Sequence, residues 1–407
     1  NPETLRFAAG PSHVRRPSEA LRCGVKVVVS SLMGLFIGLA SPDVGAAVPT
    51  NWTKITLAGL AYPRAVHHGN GLWFAVGSTQ GGGAIYTSAD AQTWKRVNPG
   101  GWQGLWLNDV HWGDGTRVVV GSDWGAEPDT GLILTSTDGE TWTRRNSGID
   151  DELNAVAYGN GTWVVVGRAR PDETGLILTS ADGRVWQRSD VWIEHSLADV
   201  HYANGMWMAV TTWNDVWISS DGQRWTWSAR LEDQWIERLH CGNGIWMTAG
   251  GSILASVNGY RWTPVLTNTD LSLRSIAYGD DTWIAVGTLG GRNVILTSPD
   301  TRQWQAQTVT AYPAAIHFAD GLWVVACSGQ VLTAAASKAD TAWLAIEPSP
   351  VAKGLQVSCV GPSNHVYRLQ RSANLKDWEE VAVADHRIAG FDVRASADAA
   401  FFRAALT

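Results

Sequence analysis

The sequence is poor in charge, in cysteine and in helical pattern. Only 17% of its 407 residues are Asp, Glu, Lys or Arg, against about a quarter in an average soluble domain. Four cysteines are present, and neither their number nor their spacing builds a disulfide framework or a zinc site. Cys23 precedes an apolar run, and Cys241, Cys327 and Cys359 are left as an odd set, read as small buried hydrophobes. No segment past the N-terminus repeats apolar residues at helical spacing, and none is long enough to be a second membrane span. Phe and Tyr are scarce, at 7 and 8. Abundant instead are Trp, at 24, and Gly, at 43. Indoles favour strands and glycines favour tight turns, so the composition points to an all-β chain.

The first 46 residues carry an export pattern. Arg15, Arg16, Arg22 and Lys26 lead into a largely apolar run from Val27 to Ala40, and small residues follow at Val44-Gly45-Ala46. Basic, apolar and small residues in that order are a secretory signal peptide, too short in its apolar part to span a bilayer comfortably. The mature protein is therefore expected to be secreted, periplasmic or held at the cell surface. Losing 1–46 removes five basic and three acidic residues and leaves a formal charge of −9. That sign argues against nucleic acid and anionic membrane as partners.

Residues 47–348 repeat. "ILTSTDGETW" at Ile133–Trp142 returns as "ILTSADGRVW" at Ile177–Trp186 and, altered, as "WISSDGQRW", "ILASVNGYRW" and "ILTSPDTRQW". Each copy follows a Gly/Asn/Asp turn and a strand such as "TWVVVG" or "TWIAVG". Seven units align, with end-of-box tryptophans at Trp94, Trp142, Trp186, Trp225, Trp262, Trp304 and Trp343. Four short strands per unit at a period near 40 residues predict a seven-bladed β-propeller. The seventh box is degenerate, with Ala339 where the others carry Asp or Asn, and "NWTKITL" at 51–57 resembles the strands that follow the boxes. The N-terminal strand around Trp52–Leu57 is thus expected to close the ring on the last blade, removing exposed sheet edges.

The Ser-x-Asp-Gly-x-x-Trp pattern resembles the Asp box of the sialidase-type (BNR) propellers. It is fullest at Asp138, Asp182 and Asp221, and less complete at Asn258, Asp90 and Asp300. The resemblance implies the fold and not an activity, since that family includes glycosidases, assembly factors and binding proteins. The box carboxylates read as structural, accepting turn amides while the Trp folds back over the blade. A sialidase is disfavoured, because Tyr62-Pro63-Arg64 does not match the Phe/Tyr-Arg-Ile-Pro motif of those enzymes. Residues 349–407 leave the repeat and resemble the small β-sandwich modules that end many exported bacterial proteins.

Function is sought where the repeats differ. Trp102, Trp106, Trp192 and Trp235 fall in connections between blades, and Trp124 and Trp213 in loops between second and third strands. All six belong to the face opposite the boxes, in the company of many carboxylates. Indoles stack on the C–H faces of sugars and carboxylates accept hydroxyls, so a neutral polysaccharide or glycan is the expected partner, bound without chemistry. Two alternatives stay open. One is an endo-acting glycoside hydrolase using a carboxylate pair, with Asp109 and Asp199 as first candidates and Glu194, Asp151 and Glu237 behind them. The other is an extracellular scaffold that engages a cell-surface protein. His67, His111, His201, His240 and His317 share one position of the first strand, with Ala157 and Ala277 in the other two units. No metal is assigned to them, no cofactor is called for, and a monomer is expected.

Overall fold

In the computed structural model the strands of the propeller assemble as seven four-stranded antiparallel sheets, six of them running in chain order from the innermost strand outward. The structure describes residues 22–25, 49, 51–97, 102–126, 130–231, 235–268 and 270–336, and beyond them the backbone of six strands between 343 and 406. The export segment expected at 1–46 lies, apart from strand Arg22–Val25, outside the described residues. Among the described residues there is no helix.

Two compact units divide the chain, Val48–Ser337 and a second made of Asn1–Ala47 with Lys338–Thr407. The first is the propeller. Its inner strands are Tyr62–Gly69, Leu105–Gly113, Glu152–Gly159, Leu197–Ala203, Ile236–Gly242, Leu271–Gly279 and Pro313–Ala319, and each touches the next around a closed ring. Blade 7 takes its outer strand from Thr53–Thr56, which pairs antiparallel with Gln330–Ala335. The N-terminal strand therefore closes the ring. With that slot filled, Trp343 has no place in a blade. It opens strand Trp343–Pro348, which pairs with Gly354–Val360 in the second unit. That unit holds one three-stranded and one four-stranded sheet.

Blade faces are buried on both sides, which is why the second strands read as continuous apolar runs. Seven core clusters form, each shared by two adjacent blades. Between blades 1 and 2, for example, Phe74, Val76 and Ile85 meet Leu107, Val119 and Leu132. Trp73, Trp163, Trp207, Trp246, Trp283 and Trp323 occupy one equivalent position and are fully buried. Each removes roughly 200 Å² from water, on the order of 5 kcal/mol before the entropy of ordering is counted. Blade 2 has Arg117 there instead. Its guanidinium lies over Phe74 and Trp112 and donates to the carbonyls of Thr137 and Gly69.

Between the third and fourth strands, the repeated turn follows its chemistry. Asp138 accepts the amides of Glu140 and Thr141, both at 2.8 Å, while Ser136 binds both the carboxylate and the Gly139 amide. Asp90, Asp182, Asp221, Asn258 and Asp300 each accept the corresponding two amides. These amides hold Asp138 below the usual carboxylate range and Asp90 down to about 2.

The same β-bulge recurs in every inner strand, between Pro63 and Ala65 in blade 1 and at the equivalent step in the other six. The extra residue is unpaired and the backbone bends. Opposite the bulge, the second strand of five blades carries Gly77, Gly121, Gly167, Gly250 or Gly287. A Cβ there would lie within 2.2 Å of the carbonyl oxygen of a residue in, or for Gly250 just before, the first strand. The glycine that ends "VVVG" is required by this approach.

Candidate functional site

The bulges set the geometry of the ring's axis. The inner strand of each blade is a sheet edge, so its outward amides and carbonyls need partners. Asp109 supplies one, accepting the Val156 amide of blade 3 at 3.0 Å and its neighbouring Val110 amide at 2.9 Å. Asp199 likewise accepts the Leu239 amide of blade 5 at 2.7 Å. Ser275 occupies the same place in blade 6 and accepts from Ile316 at 3.3 Å. One residue earlier, bulged Asn108 and Asn154 donate to the next blade's carbonyls, Leu153 and Leu197, at 2.8 Å each. The two residues put forward as a catalytic pair thus lie at blade boundaries, joined to backbone.

Burial pushes Asp109 up, and Asp199 up to about 7, against the opposing pull of Arg238. Arg238 is half-buried, yet the two carboxylates outweigh the cost of its lost hydration and raise its pKa. It donates to the Ala198 carbonyl at 3.3 Å.

Two residues along each strand, the histidines line the axis in two groups. The His67 ring is 4.4 Å from that of His111 and 4.6 Å from that of His317, spanning blades 7, 1 and 2. Across the ring, His201 and His240 are 5.0 Å apart. Ala157 and Ala277 separate the groups. Burial and mutual repulsion lower the pKa of each, to about 3 at His111 and His317, while burial alone brings His201 to about 4. Among the described residues no three His, Cys, Asp or Glu side chains are placed to hold a metal ion.

The loop face lies above this axis. Trp192, Trp213 and Trp124 are 69%, 65% and 53% exposed, and Trp106 and Trp235 more than a third. Trp102 differs. It is half-buried against the core between blades 1 and 2, and its carbonyl accepts the Gly83 and Leu105 amides. Among the described residues, each of these exposed indoles except Trp192 has a ring or guanidinium beside it. Trp106 stacks on Tyr62 at 6.1 Å, and Trp213 on His195 at 4.7 Å and 17°. The guanidinium of Arg170 lies 5.7 Å from the Trp124 ring, and that of Arg274 5.6 Å from Trp235.

Carboxylates on this face are largely paired with arginines. Asp215 holds Arg230 at 2.7 Å, Glu152 holds Arg168 at 2.8 Å, and Glu237 holds Arg274 at 2.9 Å. Asp151 is buried and accepts the Arg170 amide at 2.6 Å, anchoring its loop. Glu194 stays exposed on the connection into blade 4, where its charge helps raise the pKa of Arg230 after the larger effect of Asp215.

Sequence reasoning missed three contributors. Trp227 is 52% exposed on the outer strand of blade 4 and donates its indole N–H to Asp215 at 3.0 Å. Arg64 and Arg274 project from the bulge. The signal was present, since Arg64, Asn108, Asn154, Ala198, Glu237, Arg274 and Ala314 share one column three residues before the histidine position.

No family model matches the chain, and no curated protein sequence matches it. Solved structures match in fold. A structure of YCF48 bound to D1 peptide superposes with a TM-score of 0.55 at 17% identity, covering 70% of this chain and 97% of that one. YCF48 from Cyanidioschyzon merolae gives 0.53 at 16%, over 70% and 98%. A catalytically inactive virginiamycin B lyase from Staphylococcus aureus with quinupristin gives 0.56 at 12%, over 70% and 99%. The likeness is one of fold: the propeller is shared, and identities this low carry no activity across.

Proposed function

We propose that this is an exported propeller of the Asp-box type that binds a neutral polysaccharide or glycan on its loop face, without chemistry. The observation that carries the reading is the set of exposed indoles on blades 2 to 5, densest at blade 4, where Trp192, Trp213 and Trp227 all reach solvent. So much exposed aromatic surface on one face of an acidic protein favours a binding role. The neighbouring polar groups favour sugar as the occupant. Asp215 with Arg230, and Arg274 with Glu237, offer donors and acceptors beside the rings, matching hydroxyls that flank a stacked sugar face. Hydrolysis is the weaker reading, because Asp109 and Asp199 serve blade-to-blade hydrogen bonds. A carboxyl that must transfer protons needs reach to the scissile oxygen.

The test is depletion of the full chain from solution by a panel of insoluble and soluble neutral polysaccharides, with released reducing ends measured in parallel. Depletion without release is expected, weakened by Trp192→Ala and Trp213→Ala. Reducing ends that vanish in Asp109→Asn or Asp199→Asn would establish the hydrolase instead. No depletion by any member, with a protein recovered by affinity capture, would leave the scaffold.

A further inference from the structure

Blade 7 takes its outer strand from the start of the chain, and the junction with blade 6 holds a cleft of about 400 Å³. It is bounded by the outer strands of the two blades, Gln305–Thr308 and Thr53–Thr56. Trp52, Lys54, Gln330 and Leu332 form the blade 7 wall, with Gln307 and Val309 across from them. The volume falls within the range of small-molecule sites, about 300–1,000 Å³. Strand alternation puts Gln330 on the same face as Leu332 and Ala334, which pack on blade 6.

Gln330 departs from the repeat. Counted from the residue paired with the buried second-strand position, its place is taken by Ala84, Leu132, Leu176 and Val294 in blades 1, 2, 3 and 6. All four are buried aliphatics, as the core between blades requires. Gln330 is only 4% exposed, yet its carboxamide makes no hydrogen bond among the described residues. A polar group so enclosed is costly without a partner, and such groups are few in folded chains. Lys54 is the second unsatisfied group. The other described lysine, Lys95, pairs with Glu140 at 2.9 Å, whereas Lys54 makes no ion pair among the described residues.

We infer that this cleft is a binding site for a sugar acid, a hexuronate ring with one carboxylate and several hydroxyls. A carboxamide both donates and accepts, as a hydroxyl does, and three of them, Asn51, Gln307 and Gln330, border the space. Trp52, Val309 and Leu332 offer apolar surface to the C–H face of a ring. Lys54 sets the charge. One ammonium, with no Asp or Glu among the lining residues, suits a single negative charge. An amino acid would find no counter-charge for its own ammonium group. A phosphate dianion is better served by the guanidinium fork, which no lining residue supplies. The cleft belongs to blades 6 and 7 and the exposed indoles to blades 2 to 5, so this site does not rest on the glycan reading of the loop face.

Isothermal titration of the full chain with glucuronate, and separately with galacturonate, at fixed ionic strength, tests the proposal, with glucose as the neutral counterpart. One saturable site per chain is expected for at least one uronate, and glucose should bind about tenfold more weakly or less. Lys54→Gln should bring that uronate down to the level of glucose. Gln330→Leu, which installs the residue of blades 2 and 3, should weaken binding by about tenfold or more. It should leave the thermal midpoint without ligand unchanged or higher, because an enclosed amide without a partner is removed. Lys95→Gln, in an exposed ion pair on blade 1, should leave binding as it was. Heats that saturate for neither uronate, glucose bound as tightly as both, or affinity retained in Gln330→Leu would overturn the proposal. A lowered midpoint in Gln330→Leu without ligand would show a structural role for the amide and overturn it as well.

Discussion

Asp199 accepts the amide of Leu239 at 2.7 Å, one blade tying itself to the edge of the next. Replacing Asp199 by Ala leaves that buried N–H unpaired and should lower stability by about 1–3 kcal/mol. Asp199→Asn keeps an acceptor oxygen and should cost less. Urea unfolding of both variants checks the order. Equal losses would show that the carboxylate's charge, facing Arg238, matters more than the hydrogen bond.

Stability should fall with acid below about pH 6.5. The five axial histidines are neutral in the fold, with pKa lowered to about 3 at His111 and His317 and about 4 at His201. In the unfolded chain they take protons near 6.5. Between those values the unfolded state binds more protons, so each group contributes up to about 1.4 kcal/mol of destabilisation per pH unit. Asp199 works the other way. Its folded pKa of about 7 lies above the unfolded 3.8, so its contribution is present below 3.8 and is lost as pH rises to 7. Asp109 shifts in the same direction. His68 is lowered as well and Asp281 raised, so six histidines stand against three carboxyls and the thermal midpoint should drop from pH 6.5 to 4. His111→Asn should flatten that slope, and a level profile in the native chain would contradict the account.

Gly121→Ala should be among the most damaging single-methyl changes in the propeller. Its Cβ would lie 1.8 Å from the Trp106 carbonyl oxygen, where backbone cannot yield. A loss of about 3 kcal/mol or more is expected. Gly148→Ala is the comparison, since its Cβ meets nothing while φ is +71°. Only the left-handed backbone is then penalised, about 1 kcal/mol. Chemical denaturation of the pair separates the collision from the dihedral.

Much of this architecture could be read from residue order. The blade count, the four strands per blade, the turn role of Asp138 and its equivalents, and the closing strand at Thr53–Thr56 all follow from local chemistry repeated at a fixed period. Trp343 was harder. It carries the right residue at the right spacing, but the fourth-strand slot of blade 7 was already taken by a segment almost 300 residues away in the chain.

Side-chain roles at the axis were not legible. Asp109 and Asp199 look like unrepeated acids in a repeated strand, and only the neighbouring blade shows which amides they meet. The face rich in carboxylate likewise proved to be a face of ion pairs once Arg168, Arg230 and Arg274 came into reach.

The sequence by itself determined what depends on near neighbours along the chain: period, turns, strand polarity and the apolar faces between blades. Tertiary structure decided what depends on partners from other blades. Arg274 joins Glu237 to Tyr312, and Ala157 and Ala277 divide the histidines into two groups. Hydrogen bonds and charges act over a few ångströms of space, and a closed ring brings together residues that no spacing along the chain connects.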